Sequence, residues 1–307
     1  MVFLRQLLGF CLLAWILLLF PGPSCGWAEA RVAVLYPLIK EPYYSVFQSI
    51  IRGIEAQPGT VVKTYALPET PDARALEFWL QNEGVDSVIA LGRQGLMAAQ
   101  SLGDKRPVII GALPIAPGSV SGISLSPEPA VLFRHLNELA PNVSRVHVVH
   151  TERNQWLIKK AETAARAHGL TLSTYQVNDL RDAVHKYRKI LQSIRGPAEA
   201  IWLPLDNVTA DDDVILPIVL QAAWEKEFVV FSSKPPHAQR GALFSVLPNH
   251  FGMGQQLAKV ALNGPHPAGV APLENLDIAV NLRTAFHLGL RFTPRQQENF
   301  DLVFPSR

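Results

Sequence analysis

Ser87-Val88-Ile89-Ala90-Leu91-Gly92 is a short β-branched apolar run ending on glycine, and after a longer amphipathic stretch Val108-Ile109-Ile110-Gly111 repeats the pattern. Runs apolar at every position suit a strand buried on both faces, and their alternation with helical stretches is how βα units in a parallel sheet read. Working outward, the same signal predicts strands at Val32 to Tyr36, Val61 to Tyr65, Arg145 to Val149, Thr171 to Gln176, Ala200 to Leu203, Phe228 to Phe231 and Leu243 to Val246. With the first two this is too many for one small sheet. They fall into two series, one through Gly111 and one from about Gly122, separated by Pro114, Pro117 and Gly118 in a stretch without periodicity that is expected to cross between lobes.

Helices follow from spacing. Leu180, Ala183, Val184, Tyr187, Ile190, Leu191 and Ile194 recur mostly at three- and four-residue steps, between an N-cap at Asn178 or Asp179 and a stop at Gly196. Residues 248–264 also have helical spacing and no strand partner nearby in sequence, so this segment is expected to pack back on the first lobe. The expected fold class is α/β, two doubly wound parallel-sheet lobes. A chain of 307 residues has room for two such domains.

Composition excludes several classes of function. Apolar residues make up 48% and charged residues 18%, which is enough to build a core and unlike a disordered chain. The net charge of +2, with no run of five or six like charges, leaves no basic stripe for nucleic acid. Repeats and heptads are missing as well, which excludes solenoids and fibres.

The first thirty residues read as an export signal. Arg5 precedes the apolar run from Leu7 to Phe20, Pro21-Gly22-Pro23 breaks it, and Ala28-Glu29-Ala30 places small residues around a cut before Arg31. Fourteen apolar residues fall short of the roughly 20 that span a membrane. Cys25 offers an alternative as a lipidated N-terminus, although Gly22 stands where a lipobox has an aliphatic residue. Both cysteines, Cys11 and Cys25, lie in this segment, so the mature chain is expected in the periplasm without disulfides or thiolate chemistry.

No GxSxG, strand-associated GxGxxG, GxxxxGK[ST] or HExxH motif occurs. Gly252-Met253-Gly254 reads as a helix entry, and His147 and His150, three apart on one strand, point to opposite faces. Asp206, Asp211, Asp212 and Asp213 are the one acidic group fit for a divalent cation, but the last three precede the apolar run from Val214 and suit a first helical turn. No metal or cofactor is expected. In open parallel sheets the loops at the carboxyl ends of strands form the ligand crevice, which singles out residues 37–44, 92–95, 112–114, 150–156, 206–213 and 232–237. Within them Tyr43 and Tyr44 offer aromatic faces with hydroxyls, and Arg93-Gln94 sits at a helix N-terminus suited to an anion.

Val88 to Gly92 with Arg106 to Ile109, Leu136 to Pro141, Arg145 to His150 followed by Asn154-Gln155, Leu205-Asp206-Asn207, Gly241 to Leu243, Asn249 to Gln256 and Ala279 to Ala285 occur in the order of a known family. The chain resembles extracytoplasmic substrate-binding proteins of ABC transporters, relatives of the aromatic-amino-acid binders, from Arg31 to about Leu290. The resemblance implies a type I periplasmic-binding-protein fold with a three-crossing hinge. It divides the chain into signal 1–30, a first lobe of 31–121 plus 247–275, and a second of 122–246 plus 276–307. It also implies ligand residues at Arg93, Gln94, Asn154, Gln155, Asp206, Asn207 and Asn249. Two departures stand out: Arg93 replaces a small hydroxyl residue, and Asn249 replaces an aspartate. Asp206 is left as the carboxylate for a ligand ammonium. The expected function is capture of a small organic molecule by a monomer, without catalysis, for a membrane permease. The alternatives are a sensor signalling through a membrane receptor and a hydrolase using a metal on the aspartates.

Overall fold

The computed structural model describes residues 29–103, 106–118, 120–263 and 269–306. The predicted export segment lies outside them apart from Glu29 and Ala30, and Ala30 already belongs to the first strand.

Two sheets form. The first contains β1 (Ala30–Pro37), β2 (Thr60–Leu67), β3 (Ser87–Leu91), β4 (Val108–Leu113), β5 (Ser121–Pro127) and β11 (Val270–Leu273), in the order β11-β5-β4-β3-β1-β2 and wholly parallel. The second contains β6 (Arg145–His150), β7 (Thr171–Gln176), β8 (Glu199–Leu203), β9 (Val229–Ser232), β10 (Phe244–Pro248), β12 (Leu276–Asn281) and β13 (Leu302–Phe304), in the order β13-β12-β10-β9-β8-β6-β7. Only the pairing of β10 with β12 is antiparallel.

Helices cover both faces of each sheet. In the first lobe they are α1 (Tyr43–Glu55), α2 (Ala73–Asn82), α3 (Gly92–Leu102) and the later α9 (His250–Leu262). In the second they are α4 (Pro129–Leu139), α5 (Gln155–Ala167), α6 (Leu180–Ser193), α7 (Ile215–Lys226), α8 (His237–Arg240), α10 (Leu282–His287) and α11 (Pro294–Gln297). The cap of α6 is Asp179, whose carboxylate accepts from the Asp182 N–H at 2.9 Å, as the spacing predicts. Residues Val32, Val34, Ile89, Ile50, Ile54, Met253 and Leu257 fill one face of the first sheet; Leu35, Val88, Ala90, Leu76 and Leu80 fill the other. The second core stacks Trp202 on Phe231 and Phe231 on Phe244, with Phe133 edge-on to Trp202.

All nine predicted strands form, but the expected crossing at Pro114 to Gly118 does not. That stretch joins β4 to β5 within one sheet, and the first sheet runs to Pro127 instead of ending at Ser121. β5 escapes a reading based on apolar runs because Ser124 and Ser126 alternate with Ile123 and Leu125 and are buried too. The chain crosses between sheets after Pro127, after Pro248 and through Glu274-Asn275.

The crossings are tied together. Glu128 N–H donates to Leu273 O at 2.8 Å and Asn249 N–H to Asn275 O at 3.1 Å. Gln256 donates from Nε2 to Pro272 O at 3.0 Å and accepts from Glu274 N–H at 3.1 Å. Within the segment expected to return, His250–Leu262 does pack back on the first lobe, as α9 lying against α1.

Candidate functional site

The carboxyl ends of β4 and β5 in one sheet face the loops after β6 and β8 in the other across a cavity of about 390 Å³. Pro114, Ile115, Ala116, Leu125 and Ser126 form one wall, and Thr151, Arg153, Asn154, Trp156 and residues 205–208 form the other. Just before the first wall Ala112 adopts φ 59°, a left-handed conformation that costs a non-glycine residue about 1–3 kcal/mol. Such strain gathers where a loop must be aimed, and here it turns the chain from β4 into the cavity wall.

Asp206 organises the second wall. Its Oδ2 accepts from Thr151 Oγ1 at 2.7 Å and from Asn154 Nδ2 at 2.8 Å. Its Oδ1 accepts from the N–H groups of Val208 at 2.8 Å and Thr209 at 3.3 Å. Burial pushes this carboxyl up, but the hydrogen bonds from Thr151, Val208, Thr209 and Asn154 outweigh it and hold the group below its ordinary range. Asp206 is therefore ionised and already supplied with four donors. It ties the β6 loop to the β8 loop and has no acceptor site to spare for a ligand ammonium.

Two side chains reach across. Arg153 Nη2 donates to Pro114 O at 2.8 Å, linking the sheets over the cavity. Trp156 packs on both the second-lobe core and the first-lobe cluster that contains Ile115. Asn207 is exposed at the wall, and its amide makes no hydrogen bond to the described residues.

Of the sequence-predicted positions, Asn154, Asp206 and Asn207 are brought together here, with Gln155 next to them as the first residue of α5. Tyr43 and Tyr44 open α1 after β1, and Arg93 and Gln94 lie in the first turn of α3 after β3, at the same edge of the sheet but outside the cavity. β1 is two strands from β4, roughly 10 Å at the spacing of a sheet. Tyr43 and Tyr44 are largely exposed, and Gln94 Oε1 is buried without a protein partner. Asn249 serves the hinge: its Oδ1 caps α9 on the Gly252 N–H at 2.7 Å and its Nδ2 donates to Asp277 at 2.8 Å. Arg153, Trp156 and Ser126 were not among the predicted positions; the first two fall in a loop the strand-end rule singles out, while Ser126 depends on the unrecognised β5.

The aspartates do not converge. Asp211 closes a turn through the N–H groups of Asp213 and Val214, one turn before α7 and not in its first turn. Asp212 pairs with Lys234 at 2.8 Å and His237 at 2.7 Å. Among the described residues no group of three or more His, Cys, Asp or Glu side chains could hold a metal ion. Ser232, His237 and Asp212 do form a hydrogen-bonded chain, at 2.8 and 2.7 Å, but Ser232 and His237 are fully buried. No substrate reaches that hydroxyl, and the chain braces the β8 and β9 loops.

Two α/β lobes joined by three crossings, with a cavity between their strand ends, define a type I periplasmic-binding-protein fold. The family model for ABC transporter substrate binding protein matches residues 94–295, and the chain belongs to that family. Its members bind a small solute and pass it to an ABC permease; they are binding proteins, not enzymes. Solved structures agree on the fold. An ABC domain in complex with L-Trp from Streptococcus pneumoniae is similar at 18% identity, covering 90% of this chain and 100% of that one, with a TM-score of 0.50. A ligand-free, open substrate binding protein with adhesive properties from Clostridium difficile is similar at 16% identity over 91% and 100%, with a TM-score of 0.55. No curated protein sequence matches the chain. Family members are typically extracytoplasmic, and among the described residues no helix is long and apolar enough to cross a membrane.

Proposed function

We propose that this chain is the periplasmic, monomeric solute-binding component of an ABC transporter, exported by residues 1–30, and that its solute sits in the cavity between the β4–β5 edge and the β6 and β8 loops. The cavity lined from both sheets, with Arg153 bonded across it, is the observation that carries this reading. The two lobes close by bending at the crossings near Pro127, Pro248 and Glu274. Contacts made only when both walls meet the solute shift the population toward the closed form. Asn154 and Asn207 supply hydrogen bonds, Trp156 and Ile115 an apolar surface. Tyr43, Tyr44, Arg93 and Gln94 act at the flank of the cleft, which narrows as the lobes approach.

A solute library screened by thermal unfolding tests this. At a hundredfold excess over Kd a true solute adds about 2.7 kcal/mol, or roughly 5 to 11 °C for a chain of this size. Asn207→Ala, which breaks no protein hydrogen bond, should reduce that shift by at least half. A shift that survives Asn207→Ala and Trp156→Ala unchanged would place the solute elsewhere.

A further inference from the structure

We propose that the cleft selects a small organic carboxylate with an apolar body and no ammonium group. The inference rests on the cavity being the solute site and concerns which charge the ligand carries there.

The cavity's charged groups are unevenly committed. Asp206 is the sole acid among the lining residues, and both of its oxygens already accept two hydrogen bonds each. A ligand ammonium brought into the cleft has to replace its water with acceptors, and leaving it short of them is costly. To gain Asp206 it has to strip donors from Thr151 or Asn154, and those donors then lose their acceptor.

Donors, by contrast, are in surplus. Arg153 spends one N–H on Pro114 O and forms no ion pair within 4.0 Å among the described residues, so most of its five donors are unclaimed. Asn207 adds an amide with no protein partner. A guanidinium with free N–H groups matches a carboxylate in shape and charge, and such hydrogen bonds are roughly twice as strong as neutral ones. The carboxylate belongs against Arg153 and Asn207.

Apart from Ser126, Thr151 and Asn154, the rest of the wall is apolar. Ile115, Leu125, Trp156, Leu205 and Val208 line it, so the body of the ligand is a hydrocarbon or aromatic group. A bound carboxylate also competes with Pro114 O for Arg153. The ligand thereby converts a direct bridge between lobes into one that runs through itself.

Isothermal titration of the exported chain tests this with two bodies, each in three charge forms. One set is 3-phenylpropanoate, phenylalanine and 2-phenylethylamine; the other is 4-methylpentanoate, leucine and 3-methylbutylamine. At least one plain carboxylate should bind tenfold or more tightly than the amino acid and the amine of the same body, and Arg153→Gln should weaken it tenfold or more. Tighter binding of an amino acid or amine, no binding by either carboxylate, or unchanged affinity in Arg153→Gln would each overturn the assignment. A solute of other chemistry lost in Asn207→Ala would overturn the carboxylate and leave the cleft as the solute site. Carboxylate binding untouched by any cleft substitution would instead overturn the cleft.

Discussion

Gly254→Ala is expected to cost about 3 kcal/mol, the upper end of what overpacking usually costs. A Cβ at Gly254 would lie 2.0 Å from Ile50 O and 2.9 Å from Gly53 Cα. A Cβ at Gly53 would in turn meet Phe251 O at 2.0 Å. These are backbone atoms of two helices, α1 and α9, pressed together at paired glycines, so no side chain can swing aside to make room. The helices must separate, and α9 enters the first lobe through the hinge crossing at Asn249. The melting temperature should fall by roughly 6 to 12 °C in calorimetry. A loss under about 1 kcal/mol would mean that the two helices separate freely and that α9 is not a fixed part of the lobe.

Asp206→Ala should be nearly as damaging, at about 3 kcal/mol, because it removes one acceptor group from four donors at once. Asn154 and Thr209 are buried, so water cannot replace all that is lost. The effect has a pH signature. Asp206 is held below its ordinary value of 3.8 when folded, so its stabilising contribution is complete above that value and is lost as pH falls through the folded pKa. The gap in stability between wild type and Asp206→Ala should therefore be flat from pH 8 to 5 and narrow below about pH 4. A gap that widens toward acid would mean the carboxyl is protonated in the folded chain and is not the acceptor described.

The fold was legible wherever burial is uniform along a strand. Ser87–Leu91, buried at every position, forms at the predicted bounds, and α6 starts where its aspartate cap stands. Strands that need another signal were missed. β5 carries buried serines, β11 contains Pro272 and lies at a sheet edge where a missing N–H is tolerated, and β13 has three residues. The crossing was misplaced for that reason. Within the site, strand-end loops were the right places to look, since parallel strands carry their loops to one edge. Which side chains meet there depends on strand order, and the sequence does not print that order. β4 and β5 stand opposite the β6 and β8 loops, while Tyr43 and Arg93 follow strands further along the sheet. Asp206 was singled out as a charge for the ligand, yet its hydrogen bonds arise from neighbours two and three residues on and from a loop 52 to 55 residues earlier.

The central claim is that two lobes close on a solute, and a distance between them tests it most directly. The sequence has no cysteine beyond residue 25, so spin labels can be placed on the exported chain at Met97→Cys on α3 and Lys189→Cys on α6, both exposed. Double electron–electron resonance should show the interlobe distance distribution moving to a new position when a stabilising solute is added, and returning when Asn207→Ala weakens binding. An identical distribution with and without saturating solute would contradict closure and the account built on it.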